Sequence, residues 1–393
     1  MIIRQPLIWA TPLYIIGILL GNLLSSIFFL YASVAILVAG MLLRKKTFVA
    51  DALLFAFWIT LGMARIGMEK EMPSENQLYK VVCLKARQQQ EAMTERLRDA
   101  GLDEKSLSIS SALLLGQKSG LAKETRKKYA QVGASHLLAL SGMHLGIIYG
   151  ILYMLFIRRI RFSEWKWFWL PPILLTIWGY AFIAGMPISL VRASIMFSLA
   201  TIATFAQNDT PPLHILALSA LTILLFKPSA LFGISFQLSF LAVFFIIVLY
   251  QPLREIIRLR NVITDTLMLS VVAQLGTAPL SIYYFHTLPL TGAIVSVILI
   301  PLTTIIIYLG LLTLLIPIEC IAWLLTIVIK TQDWIVESLA SIPYTTITGL
   351  YPTWWQVLLV YLLLLCIIAR SHIQWKREDF NLKRDPLTFA CKQ

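Results

Sequence analysis

The chain has 393 residues, of which 58% are hydrophobic and 13% charged, against roughly 45–50% and 25% in an average soluble protein. Apolar runs of about 15–25 residues recur along it without the alternating period of barrel strands, so the composition argues against both a water-soluble domain and a β-barrel. Lys and Arg number 33 against 20 Asp and Glu, a formal charge of +13. Basic cytoplasmic loops account for part of that excess before any nucleic-acid partner is invoked.

The fold class read from this pattern is an all-α polytopic membrane protein. In chain order the apolar runs predict spans near 7–24, 27–43, 48–64, 136–157, 168–184, 189–206, 213–226, 232–249, 264–285, 290–316, 319–339 and 354–370, about twelve transmembrane helices, some broken or re-entrant. The first run imitates a signal peptide, but no small-residue cleavage pattern follows it, and it is read as a span. Basic clusters at Arg44, Lys45 and Lys46, at Arg158, Arg159 and Arg161, and at Arg254, Arg258 and Arg260 all fall on one side. Taking that side as the cytoplasm places both termini inside, including the tail from Arg370 with Lys376, Arg377, Lys383, Arg384 and Lys392. The chain thus divides into N-terminal transmembrane helices (1–64), a polar extracytoplasmic helical segment (65–106), a membrane domain (107–316), C-terminal transmembrane helices (317–370) and a basic cytoplasmic tail (371–393).

Within the polar segment, Gln77 to Arg98 lacks Pro and Gly and is rich in Lys, Arg, Gln and Glu, which predicts an exposed helix. Further on, Lys123, Arg126, Lys127 and Lys128 stand beside Leu121, Tyr129 and Val132, the pattern of an amphipathic helix lying in the membrane interface. A DNA-phosphate role for the same basic face is the other reading. The cysteines Cys83, Cys320, Cys366 and Cys391 form no C-x-x-C pair and have no histidine at ligand spacing. Neither a metal nor a cofactor is expected.

Four segments carry residues capable of chemistry. Gly133 to Gly146 opens the fourth predicted span and sets His136, Ser141 and His144 at membrane depth, where polar groups are costly unless they face protein or water. On a helix His136 and His144 lie about 80° apart, with Ser141 near them, so the three predict one wet face. Gly142 and Gly146 permit close approach of another helix or a break. Gly185 to Ser194 is a Gly/Pro turn through Pro187 that runs into a span bearing Arg192. The guanidinium either snorkels to headgroups or donates to a passing phosphate. Pro228 to Ala242 places Gln237 with Ser235 and Ser239 in an otherwise apolar helix, where they also read as interhelical glue. The last segment runs from Gln274 through Pro279 and His286 to Pro301, and the two prolines predict broken or kinked helices lining an aqueous cavity.

These segments, in this order, resemble the competence domain of the ComEC family, bacterial inner-membrane channel proteins that admit single-stranded DNA during natural transformation. The resemblance rests on Ala112 to Gly116 with Gly120 and Leu121, on His136 to His144, on Arg192 and Ala193, on Phe236 to Phe240, and on Gln274 to Thr277 with Pro279. It covers about Leu107 to Ile316 and implies a competence-type channel domain over 107–316. It also implies single-stranded DNA and membrane lipids as partners, with a cytoplasmic DNA translocase ATPase and an outer DNA receptor. Assembly as a homo-oligomer is left open. Three departures stand out. The stretch from Arg65 to Ser106 is too short and too helical for the OB-like domain of full-length members, the chain lacks the H-x-H-x-D-H motif of their metallo-β-lactamase-like domain, and Ser296 stands where an Asn is expected.

Under that reading the path is lined by His136, Ser141, His144, Arg192, Gln237, Ser239, Gln274 and His286, with Gly142, Pro187, Pro279 and Pro301 as helix breaks. Contacts along such a path must be transient, since tight phosphate binding stalls a moving strand. No phosphate-binding loop is present, so the chain is read as a channel and not an enzyme, moved by a separate motor or a gradient. Two other classes compete: a secondary transporter of a small anion, for which no convincing inverted repeat is found, and an intramembrane hydrolase using Ser141 and His144, which lacks an evident carboxylate to orient the base.

Overall fold

The computed structural model describes residues 6–23, 28–42, 47–71, 77–117, 119–138, 140–207, 210–256, 261–342 and 345–368. Arg44, Lys45, Lys46, Arg258, Arg260, Cys391 and the basic tail lie outside them.

The first helices are α1 (Pro6–Leu23), α2 (Phe28–Leu42), α3 (Thr47–Glu71), α4 (Gln77–Asp99), α5 (Glu104–Ser110) and α6 (Lys123–Gln131). A π-helical turn, Ser111–Leu115, extends α5. They are followed by α7 (Gly142–Leu152), α8 (Arg158–Ile160), α9 (Lys166–Ile183), α10 (Ile188–Phe205) and α11 (Pro212–Phe226). The remainder comprises α12 (Ile234–Ile256), α13 (Val262–Phe285), β1 (Thr287–Pro289), α14 (Gly292–Leu315), α15 (Glu319–Ala340) and β2 (Thr346–Thr348). A last apolar helix, α16, covers Trp354–Ile368. The strands form one antiparallel pair with Leu288 opposite Ile347.

Among the described residues six helical stretches are long and apolar enough to cross a membrane: Asp51–Lys70, Gly142–Ile160, Ile188–Phe205, Ile234–Glu255, Val262–Phe285 and Gly292–Leu315. Four shorter apolar helices, in α1, α2, α11 and α16, share their composition. The protein is therefore an all-α membrane protein. Helices α9 and α15 are not among the six. Lys330, Asp333 and Glu337 make the second half of α15 polar.

Two apolar cores organise the helices. In the smaller, Ala10, Tyr14 and Ile18 of α1 pack with Ile66 of α3 and with Leu221, Leu224 and Phe236 of the following domain. Gly17 permits the contact of α1 with α3, because a Cβ there would lie 2.1 Å from the Ile59 carbonyl oxygen. At the end of this bundle Arg65 Nε donates to the Leu225 carbonyl at 2.8 Å, a cation at the negative end of α11. The larger core joins Leu113, Leu114 and Leu115 to Leu145, Ile177, Leu190, Leu299, Ile306 and Leu325. It is built from the π-helical turn and from α7, α9, α10, α14 and α15.

The structure corrects several expectations. Helices α3 and α5 run through the boundaries placed at 64/65 and 106/107. Helices α13 and α14 continue through Pro279 and Pro301. A proline removes one ladder donor, a loss that a helix packed between neighbours sustains without ending. The fourth predicted span does not begin at 136: residues 132–138 and 140–141 are not helical and α7 starts at Gly142. The apolar face of α6 is not turned to lipid, for Leu121, Tyr129 and Val132 are buried in the larger core.

Candidate functional site

One pole of the helical body collects the ends of α9, α13 and α15, the starts of α7, α10 and α14, the β1–β2 pair and the polar helices α4 to α6. Contacts fix this grouping. Gln90 of α4 donates to the Leu115 carbonyl and packs on Gly185, whose φ of +82° favours glycine and where a Cβ would stand 3.2 Å from the Gln90 amide. Thr346 of β2 donates to the Gln131 carbonyl at the end of α6. Leu290 N–H donates to the Thr345 carbonyl at 2.9 Å.

Between α6 and α7 the chain threads this pole without helical structure. Gly133 makes the entry possible: its φ is +78°, and a Cβ there would meet Gly292 Cα and Pro289 Cβ at 2.8 Å. Ala134, Leu137, Leu138 and Leu140 are buried. Ser135 and His136 are exposed, and His136 Nδ1 lies 3.1 Å from the Gly133 carbonyl.

His136, Ser141 and His144 therefore do not share a helix face, because only His144 is helical. Ser141 is the N-cap of α7: its Oγ accepts from the Met143 N–H at 3.3 Å, and its own N–H donates to His144 Nδ1 at 3.2 Å. The 3.1 Å approach of Ser141 Oγ to His144 Nδ1 belongs to that reciprocal cap. Among the described residues no carboxylate hydrogen-bonds to His144, so the pair is not the oriented nucleophile and base of a serine hydrolase. Gly142 and Gly146 face α10, where Cβ atoms would stand 3.3 Å from Ala193 and 3.5 Å from Phe197.

Pro187 is the N-cap of α10, and one turn on Arg192 is 3% exposed. Its Nη2 donates to Ser235 Oγ at 3.0 Å. Among the described residues, the buried Nε and Nη1 have no hydrogen-bond partner. Gln237 donates to the Leu231 carbonyl at 3.0 Å and accepts from Tyr284 Oη at 3.3 Å, and Ser239 is half-buried on the same helix. Gln274 ties α13 to β1 through the Pro289 carbonyl at 2.7 Å. His286 ends α13 in the left-handed conformation, with Nδ1 3.1 Å from the Leu350 carbonyl and its ring 4.5 Å from that of Tyr351. Ser296 donates to the Gly292 carbonyl of its own helix at 2.6 Å. Of the residues predicted for a path, His136, Ser141, His144, Arg192, Gln274 and His286 lie at this pole. Gln237, in the first turn of α12, joins them through Tyr284, two residues before His286, and Ser239 follows half a turn further along the helix.

A network that no local pattern announces braces the pole. Lys105 reaches Asp333 at 2.5 Å and Glu337 at 3.3 Å, Lys128 reaches Glu337 at 3.1 Å, and Lys330 reaches Asp103 at 3.2 Å. Beneath them buried Tyr129 accepts from Gln332 at 3.3 Å, and Gln332 accepts from Thr303 at 3.1 Å. The hydrogen bond to Asp333 holds the Lys105 ammonium above its ordinary range. Burial alone would raise the Asp103 carboxyl, but bonds from Ser106 and Lys330 hold it below the usual range. The signal in the sequence was the pair of carboxylates one turn apart on α15, with nothing to say which bases meet them.

With this geometry in place, comparison with known proteins decides the family. The sequence family described as Competence protein matches residues 113–373, well over half of the chain. The chain belongs to that family. ComE operon protein 3 of Bacillus subtilis (strain 168) is 29% identical over 203 residues, covering 51% of this chain and 25% of that protein. An uncharacterized protein of Aquifex aeolicus (strain VF5) is 26% identical over 200 residues, covering 51% of this chain and 46% of that protein. The aligned part thus spans less than half the length of either relative. No solved structure matches the chain. His136, the α7 cap, Arg192 and the His286 turn all fall inside the competence match.

Proposed function

We propose that this competence protein forms a membrane passage for single-stranded DNA entering the cell in natural transformation. The observation that carries the reading is the non-helical stretch 133–138 with 140–141, whose exposed His136 stands between buried Ala134 and Leu137 within the competence match. Non-helical backbone at the membrane is tolerated where it is buried in protein or borders a water-filled cavity, and the buried Ala134, Leu137, Leu138 and Leu140 hold this stretch in protein while His136 meets solvent. A strand with one charge per nucleotide needs such a wet entrance and only weak, repeated contacts.

On this reading the pole bearing His136 faces outward and the pole bearing Arg158, Arg159, Arg161 and Arg254 faces the cytoplasm, in the inner membrane of a bacterium. The shorter apolar helices and α9 and α15 complete about twelve crossings, the short ones matching thinner or tilted passages. The chain performs no bond chemistry itself. A cytoplasmic ATPase pulls the strand and an outer receptor delivers it.

The test is uptake of labelled duplex in the native host. Deleting the gene should leave DNA bound outside the inner membrane and abolish its entry into the cytoplasm, and His136→Trp, which adds bulk at this exposed position, should reduce entry at normal protein level. Wild-type entry in the deletion strain removes the reading.

A further inference from the structure

Arg192 sits where three features oppose a cation. It is 3% exposed, and among the described residues no carboxylate lies within ion-pair distance of it. It also stands one turn inside the N-terminus of α10, the positive end of its own helix. A guanidinium does not shed its proton to escape such a place, and an uncompensated buried charge costs several kcal/mol. Ordinary packing would not retain it, since a neutral side chain of similar length fills the same volume.

A second helix start adds to the positive field. The N-terminus of α7 is held against α10 by the Gly142 contact with Ala193 and by Ser189 Oγ, which donates to the Leu140 carbonyl at 2.6 Å. The terminus is capped by Ser141, so the free donors are those of Arg192, namely Nε and Nη1. Its single bonded partner, Ser235, is itself exposed.

We propose that Arg192 and Ser235 form an oxyanion site of phosphate type, closed in this conformation by their mutual hydrogen bond and opened when an anion takes the place of that contact. An oxyanion presents several acceptor oxygens to a planar group with more than one free donor, which a single-centred halide does not. Inorganic phosphate and a nucleic-acid phosphodiester share this chemistry. The inference depends on the channel reading only for the phosphodiester, and the site stands without it if inorganic phosphate alone binds.

The experiment uses the whole chain in a maltoside detergent, which carries no phosphate of its own. Melting is followed at constant ionic strength in sodium chloride, in sodium phosphate, with an oligothymidylate, and with an oligothymidylate of uncharged methylphosphonate linkages. Phosphate should raise Tm by about 2 °C or more over chloride. Arg192→Met should abolish that rise while melting no lower than wild type in chloride, because it relieves a buried charge. Should Arg192→Met fail to fold, Ser235→Ala, which frees Nη2, tests the same site: it should bind phosphate more tightly than wild type. No phosphate effect in wild type, an undiminished effect in Arg192→Met, or unchanged phosphate affinity in Ser235→Ala each overturns the site. A shift with phosphate but none with either oligonucleotide keeps the site and removes the strand as its ligand. Normal DNA entry in a variant that no longer binds phosphate keeps the channel and removes the site from its path.

Discussion

Lys105 of α5 and Asp333 of α15 meet at 2.5 Å, with the carboxylate side chain 8% exposed and the ammonium 55% exposed. This contact fastens α5, which precedes the competence match, to α15 in the second half of that match. Lys105→Met leaves Asp333 buried beside Glu337 without its closest cation, so it should destabilise the protein by about 1–2 kcal/mol, reduced from the fully buried case by the exposure of the amine. The pH dependence has a definite sign. Because its folded pKa lies above the unfolded value of about 10.4, the contribution of Lys105 is complete below that pH and is lost as pH rises through the folded value. Melting of wild type measured from pH 7 to 11 should show an alkaline loss that Lys105→Met lacks. Identical alkaline slopes in the two proteins would remove the brace.

Ser141 and His144 make a second prediction, because a cap and a nucleophile respond differently to the same change. Ser141→Ala removes the acceptor for the Met143 N–H and should cost about 1 kcal/mol, with DNA entry reduced by no more than severalfold. Ser141→Asn, another good cap, should restore stability. A nucleophile would behave otherwise, losing orders of magnitude on Ser141→Ala with Asn no better. Ser141→Leu, which places bulk at the start of α7 beside His144, should be the severe variant for entry. Uptake and melting of the four proteins at matched membrane abundance separate the two roles.

Sidedness is the third prediction. Cys83 lies on α4, which Gln90 fastens to the same pole as His136. In versions that retain a single cysteine, an impermeant maleimide added to intact spheroplasts should label Cys83 and spare Cys391. Labelling of Cys391 alone would invert every assignment of the poles to membrane faces.

Much of the fold was legible because its determinants are local. The Pro- and Gly-free polar run from Gln77 announced α4 almost to the residue, since composition and propensity act over a few turns. The start of α7 was missed for an equally local reason. Leu137, Leu138 and Leu140 look like the continuation of a span, but they are apolar because they are buried in an irregular segment. The cap that ends this segment uses His144 where a capping box ordinarily has Glu or Gln. The face of α6 was misjudged because Tyr129 satisfies an apolar stripe equally well against lipid or against Gln332, and only tertiary contact decides. Long-range pairs such as Lys105 with Asp333 leave no trace in spacing.

The last prediction concerns what Arg192 does for a moving strand. Snorkelling requires a long basic side chain that reaches headgroups, and at 3% exposure with its Nη2 on Ser235 the guanidinium does not do this here. What remains is a planar group with several donors, of which Nη2 is released when an anion displaces Ser235, a fork that the compact ammonium of lysine reproduces poorly. Arg192→Lys should therefore lower entry of labelled DNA into the cytoplasm by about tenfold or more, equivalent to about 1.4 kcal/mol at the limiting step, with outer DNA binding and protein level unchanged. Arg192→Ala should be worse, having lost both the charge and the contact to Ser235. Entry at the wild-type rate in Arg192→Lys would mean that charge alone suffices, and the same result in Arg192→Ala would take Arg192 out of the passage altogether.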